Sequence, residues 1–153
     1  MTKSIVTLSK NTMKLTHQKG KKMNNLTPEQ KREILDYFGK QVIMFRDSDL
    51  DIAINYATGK SINPIKAEQY SILSTLSHEQ RESINDLLSE TITSTIFNFL
   101  NMFEENDDKM ELIIKKDGQE YNMVEISEKM GSEIACYEDT GWIQRFSKVG
   151  RFV

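Results

Sequence analysis

Asp47, Asp49 and Asp51 stand at the first, third and fifth positions of a calcium-loop pattern. Such a loop needs a glycine at position six for its sharp turn and a bidentate glutamate at position twelve. This chain has Ile52 and Thr58 there. The pattern fails where the geometry is most demanding, so the three aspartates are expected to form a solvated acidic junction between helices. Nitrogen and sulfur ligands are scarcer. Beyond residue 22 there is one histidine, His78, and one cysteine, Cys136, whereas a structural zinc site takes four such ligands. As base and nucleophile the two would make a thiol enzyme. However, His78 falls in the first turn of an expected helix, where exposed polar residues are usual. Cys136, between Ala135 and Tyr137, reads as a buried structural thiol. Gly39, Gly59, Gly118, Gly131, Gly141 and Gly150 stand singly, so no phosphate-cradling loop is expected. No metal or cofactor is implied, and an enzyme is the last of the functional readings.

Two other constellations suit binding better. Glu104, Glu105, Asp107 and Asp108 form a charge run at the expected end of the longest helix. Such a run is usually solvent-facing, and it can serve as a landing surface for a basic protein. The stretch from Glu138 to Ser147 places two acids, a turn glycine, the single tryptophan and an arginine within ten residues. In one reading Trp142 closes the core after the turn, packed on the longest helix, with Asp139 as a cap. In the other, Glu138, Asp139, Trp142 and Arg145 belong to a binding face, because Trp and Arg are common interface anchors.

Charge is divided along the chain. Residues 1–22 carry six lysines and no acid, whereas residues 23–153 hold 14 basic against 23 acidic residues, a formal charge of −9. The basic leader is too polar to bury surface that would offset its ordering entropy, so it is expected to be disordered. Its apolar stretch, Ile5-Val6-Thr7-Leu8, is far short of a signal-peptide core. Lacking arginine and an amphipathic period, it is also a poor mitochondrial presequence. The run Lys19-Gly20-Lys21-Lys22-Met23 can be encoded by a purine-rich ribosome-binding sequence ahead of a start codon. Met23 is therefore an alternative natural start, which mass spectrometry of the native N-terminus would distinguish from Met1.

Residues 23–153 suit a single acidic globular domain. Nothing in the chain approaches the roughly 20 consecutive apolar residues of a bilayer span. A single cysteine leaves no internal disulfide and fits a reducing compartment. A cytoplasmic bacterial or phage protein is expected. Net acidity argues against nucleic acid or anionic membrane as a direct ligand.

The elements that would position these residues are mostly helical. Thr27, Pro28 and Gln30 make a capping box with proline at the first helical position. Leu35, Phe38, Val42 and Phe45 follow on one expected buried face. A short helix over about Leu50 to Tyr56, with Ile52 and Tyr56 inward, should end at Gly59 as the C′ residue. Asn63-Pro64 restarts a helix carrying Ile65, Ile72, Leu73 and Leu76. The longest helix should begin at the capping box Ser77–Gln80 and carry Ile84, Leu88, Ile92, Ile96, Phe99 and Phe103. Its Thr91–Ile96 stretch has poor helix propensity, which packing is expected to override. The similar starts at Leu26 and Leu76 are attributed to convergent helix-start chemistry rather than to a repeat. Alternation through Met110, Leu112 and Ile114, the Asp117-Gly118 turn signal, and Tyr121 and Met123 predict a hairpin. A last helix, interrupted near Gly131, is expected over about 124–137. The fold class is α+β, mainly α, with about five helices and one late β-hairpin at about residues 110–123.

The Leu76-Ser77-x-Glu79-Gln80 start, the Phe97-Asn98-Phe99-Leu100 segment and Glu138-Asp139-x-Gly141-Trp142-Ile143-x-Arg145-Phe146-Ser147 together resemble a group of small uncharacterised bacterial proteins. The resemblance covers about residues 26–148 and implies no catalytic signature. Acidity, size and the lack of a catalytic constellation lead to one expectation. The chain should be a non-enzymatic binding protein that docks on a basic protein, most simply as a toxin-immunity or phage-type inhibitor protein. The alternative is a small regulatory or structural protein with a peptide-like partner. Oligomeric state is not legible in the sequence.

Overall fold

The computed structural model describes residues 26–60, 63–134 and 140–149. Helix α1 (Pro28–Ala57) starts as its capping box predicts. Thr27 Oγ1 accepts the Gln30 N–H at 3.3 Å, and the Gln30 side chain accepts the Thr27 N–H at 2.9 Å. It then runs unbroken for 30 residues, merging the two helices expected over 26–45 and 50–56. Asp and Ser side chains at 47–49 suggest a junction because they compete for backbone hydrogen bonds. Tertiary contacts remove that competition at Asp47. Its carboxylate accepts the Ser147 hydroxyl at 2.8 Å, the Lys148 backbone N–H at 2.7 Å and the Arg46 guanidinium at 3.1 Å. Asp47 is therefore buried inside a helix, not part of a solvated junction. The helix ends as expected, with Gly59 at φ +69° just beyond the Thr58 cap.

Asn63 caps α2 (Pro64–Gln69), accepting the Ile65 and Lys66 N–H groups. A 3-10 turn over Ser71–Thr75 follows, in place of a helix continuing to Leu76. Ile65 and Ile72, expected inward, are 75% and 67% exposed. Neither α2 nor the turn contains a buried residue. The segment is held instead by Tyr56 stacked on Tyr70 at 5.1 Å and by the Arg81 guanidinium donating to the Leu76 carbonyl at 2.6 Å.

Helix α3 (His78–Glu105) opens on the reciprocal Ser77–Gln80 capping box and passes through Thr91–Ile96 without a break. At 28 residues it is slightly shorter than α1, which is the longest helix. The apolar period holds, but the buried face is centred on Ser89 and Leu100, and Phe99 points outward. The same rotation exposes Phe45 and Ile52 on α1, while Ile34, Gly39, Ile43, Arg46 and Leu50 take the core side.

Strands β1 (Ile113–Lys116) and β2 (Gln119–Asn122) pair antiparallel, with Ile114 opposite Tyr121. Asp117 and Gly118 form the tip at φ +52° and +76°, as the type I′ signal predicts. Met123 does not extend the return strand but opens α4 (Met123–Ile126), capped by the Asn122 side chain. The helix expected over about 124–137, with an interruption near Gly131, is shorter than that: α4 ends at Ile126, Ser127 is extended, a 3-10 turn covers Gly131–Glu133, and residues 135–139 lie outside the described residues. Gly131 is seated closely against α3. Its N–H donates to Glu104 Oε1 at 2.7 Å, and a Cβ there would lie 2.2 Å from Asn101 Oδ1.

Helix α5 (Trp142–Phe146) brings Trp142 into the core at 0% exposure. The indole lies on α1, not on α3, edge-to-face with Phe38 at 5.7 Å and over the bare backbone of Gly39. The core, which includes Ile34, Leu35, Ile43, Leu100, Met123, Met130 and Ile134, fills one side of the α1/α3 pair. The hairpin, α4 and α5 cover that side. The fold is α+β and mainly α. No helix among the described residues is long and apolar enough to cross a membrane.

Candidate functional site

The structure separates the residues singled out from sequence. Trp142 is enclosed and offers no surface to a partner. Its Nε1–H has no acceptor among the described residues. Arg145 grips Asp36 through both terminal nitrogens, Nη1 to Oδ1 at 2.6 Å and Nη2 to Oδ2. Hydrogen bonding to Asp36 holds the Arg145 guanidinium above its ordinary pKa. The ion pair ties α5 to α1, so Arg145 is occupied in holding the fold. Glu104 is half-buried and serves Gly131. Glu105, Asp107 and Asp108 remain exposed at the C-terminal end of α3. Glu138 and Asp139, like Cys136, lie outside the described residues. His78 is exposed, 3.1 Å from Glu82. On α1, Asp49 lies off the face that Asp47 and Asp51 share, and Asp47 is taken up by Arg46, Ser147 and Lys148, so the three do not form one ion site.

Sequence reasoning missed how the fold redistributes charge. Among the described residues seventeen acids are exposed, but only six bases: Lys40, Lys60, Lys109, Lys115, Lys129 and Lys148. The other bases are drawn into structural bonds. Lys31 donates to the Glu125 carbonyl, Arg32 pairs with Asp36 and Glu133, and Lys116 with Glu33 and Asp117. On α3 the acids Glu79, Glu82, Asp86 and Glu90 are all exposed. Their spacing of three, four and four residues puts them in one stripe along the helix. That spacing is readable in the sequence.

A second feature lies between α1 and α3 at the edge of the core, with Leu100 and Leu112 in its wall. An open apolar groove of about 460 Å³ has Phe38, Val42, Phe45, Ile92, Ile96 and Phe99 among its lining residues. Phe45 and Phe99 stand at its rims, 67% and 51% exposed. Below it Arg46, 1% exposed, joins the two helices. Its Nε donates to Thr93 Oγ1 at 3.0 Å, Nη2 to Ser89 Oγ at 2.6 Å and Nη1 to Asp47 at 3.1 Å. Burial pushes the guanidinium below its ordinary pKa and Asp47 opposes that shift. Chemically the groove offers apolar contact and almost no polar recognition. Among the described residues no group of three or more His, Cys, Asp or Glu side chains could hold a metal ion.

Residues 51–147 match the model of a family of unknown function (DUF6547), and the chain belongs to that family. The match begins inside α1 and takes in α2, α3, the hairpin, α4 and α5. No curated protein and no solved structure matches the chain.

Proposed function

We propose that this family member is a non-enzymatic acidic binding protein that docks on a basic protein partner, in the manner of a toxin-immunity or phage-type inhibitor protein. The observation that carries the reading is the exposed charge. Folding commits the longer basic side chains to internal bonds and leaves an exterior dominated by carboxylates. These carboxylates do little for the free chain. In the stripe Glu79–Glu82–Asp86–Glu90, like charges three and four apart repel. At the C-terminal end of α3, Glu105, Asp107 and Asp108 meet the negative end of the helix dipole, and the last turn carries no base. A basic surface laid over either cluster would relieve repulsion that the exposed His78–Glu82 and Lys109–Asp108 contacts offset only in part.

The test starts with capture of the partner from native lysate, followed by association kinetics with the purified pair. Raising salt from low to physiological should lower the on-rate about tenfold or more, with a smaller change in off-rate. Reversal of Glu82, Asp86 and Glu90 to lysine should lower it similarly in a chain that still folds, because these side chains are exposed. A salt-insensitive on-rate, or turnover of a small molecule by the purified chain, would defeat the proposal.

A further inference from the structure

We infer that the hairpin tip Asp117-Gly118 is a site of spontaneous covalent modification, where the chain isomerises to isoaspartate without an enzyme and so loosens the hairpin. This is independent of the acidic docking surface above and concerns a different part of the molecule.

The chemistry is a ring closure between neighbouring residues. The backbone nitrogen of Gly118 attacks Cγ of Asp117 in its carboxylic acid form. An N–Cγ bond forms and the Cγ–OH bond breaks, and the hydroxyl departs with the amide proton as water. The product is a five-membered succinimide. Water then adds to either ring carbonyl. Opening at Cγ restores aspartate. Opening at the former main-chain carbonyl leaves that carbon as a free carboxylate, and the chain now runs through Cβ and Cγ. One water is lost and one is regained, so no oxidant or other reactant is needed.

The structure singles out this peptide. A side chain on the following residue crowds the attacking nitrogen, and Asp117 is the only aspartate in the chain that precedes a glycine; no asparagine does. A Cβ at Gly118 would meet nothing within 4 Å, and the Asp117 side chain is 79% exposed. Strand pairing leaves the nucleophile unused. The Met123 N–H donates to the Leu112 carbonyl at 2.9 Å. Bonded and non-bonded pairs alternate along an antiparallel ladder, so Ile114–Tyr121 and Lys116–Gln119 are the bonded pairs. The Gly118 N–H has no acceptor among the described residues. Ring closure requires the tip to open, and opening releases Asp117 from φ +52°, a region that disfavours a side chain. The other described aspartates are held differently. Asp36 and Asp47 are bound by arginines. Asp49, Asp51 and Asp86 lie inside helices, where the following N–H is committed to the carbonyl four residues back. Asp107 and Asp108 precede Asp and Lys, whose side chains crowd the nitrogen.

The consequence follows from the shortness of the loop. Asp117 and Gly118 alone join Lys116 to its partner Gln119, and in a hairpin the loop length fixes the register. Isoaspartate adds one carbon to the backbone of that loop. Tyr121 and Met123, 8% and 0% exposed, reach the core through that register. The change also relocates the carboxylate that accepts the Lys116 ammonium at 2.7 Å, the same ammonium that holds Glu33 of α1 at 2.9 Å. Pairing at the tip and the tie from hairpin to α1 are both disturbed.

Incubation of the full chain for several weeks at neutral pH and physiological temperature, followed by peptide mapping, tests the inference. The peptide containing residue 117 should appear in a second chromatographic form of unchanged mass, with a minor form one water lighter. The second form should accept a methyl group from S-adenosylmethionine through an isoaspartate methyltransferase. No other aspartate among the described residues should convert to a comparable extent. Asp117→Asn keeps a preferred type I′ pair and should convert about tenfold faster, now with a gain in mass, because ammonia leaves more readily than hydroxide. Gly118→Asn tolerates the positive φ and should convert about tenfold more slowly, because its side chain crowds the nitrogen. Far-UV circular dichroism confirms the fold of each variant. Hydrogen exchange on the purified isoaspartyl chain should show loss of protection at the Gln119 and Tyr121 amides, with the amides of α1 and α3 unchanged. An Asp117 that stays unmodified, or conversion spread evenly over the aspartates, would overturn the inference. So would a Gly118→Asn chain that converts at the wild-type rate, or an isoaspartyl chain whose hairpin amides stay protected.

Discussion

Replacing Gly39 with alanine sets two calculable effects against each other. In an ordinary helix interior the change is favourable by about 1 kcal/mol, because alanine loses less backbone entropy than glycine. At position 39 the added Cβ would lie 2.6 Å from Cε2 and Nε1 of Trp142 and 2.7 Å from Cδ2. The indole cannot retreat easily. It is 0% exposed and braced edge-on by Phe38, so α1 and α5 must separate by roughly 1 Å. Contacts this short place the cost in the upper part of the usual over-packing range, at about 2–3 kcal/mol. Gly39→Ala should therefore destabilise the chain by about 1–2 kcal/mol net, despite the propensity gain. Urea unfolding followed by circular dichroism measures this directly. A thermodynamic cycle with Trp142→Ala sharpens it. That change alone should cost about 3–5 kcal/mol. Once the indole is gone, the added methyl has space, and Gly39→Ala should become stabilising by up to about 1 kcal/mol. A coupling energy of about 2–3 kcal/mol follows. If the Trp142→Ala chain is too unstable to measure, Trp142→Leu serves. A neutral or stabilising Gly39→Ala in the wild-type background would refute the packing argument.

Asp47→Ala should cost about 3–5 kcal/mol in the same assay, because it leaves the buried Arg46 guanidinium without its carboxylate and frees Ser147 and Lys148 from α1. Glu104→Ala should cost about 1–3 kcal/mol by stranding the Gly131 N–H, while the neighbouring Glu105→Ala should stay within about 0.5 kcal/mol. Equal effects at 104 and 105 would show that the Glu104 contact does not hold the Gly131 turn in place.

Local chemistry was legible in the sequence wherever a signal and its consequence lie within a few residues. Both capping boxes, the C′ role of Gly59, and the Asp117-Gly118 tip with both residues at positive φ are of this kind. The 3.6-residue period through Thr91–Ile96 correctly outweighed its poor propensity, because one apolar face persists along the whole of α3. The candidate site was less legible. The residue types that suggest binding anchors, Trp142 and Arg145, are the same types that make good core and ion-pair residues. Only their neighbours decide which role they take. Charge counts likewise revealed the acidity, but not that Arg32, Arg46, Lys116 and Arg145 would be taken up by the fold.

By itself, the sequence determined where the two long helices start, the fold class, the hairpin and the sign of the surface. It could not determine which part of each apolar stripe faces the core. On α1 and α3 that stripe is wide enough to serve the core and, beside it, an open groove. The choice fell to distant residues: Trp142 needing the bare backbone of Gly39, and Arg46 reaching across to Ser89 and Thr93. These contacts turn Phe45 and Phe99 outward and Leu100 inward. They also carry α1 through Asp47, where local propensity alone predicts a break, because Ser147 and Lys148 supply from a hundred residues away the hydrogen bonds that the aspartate would otherwise seek from its own backbone.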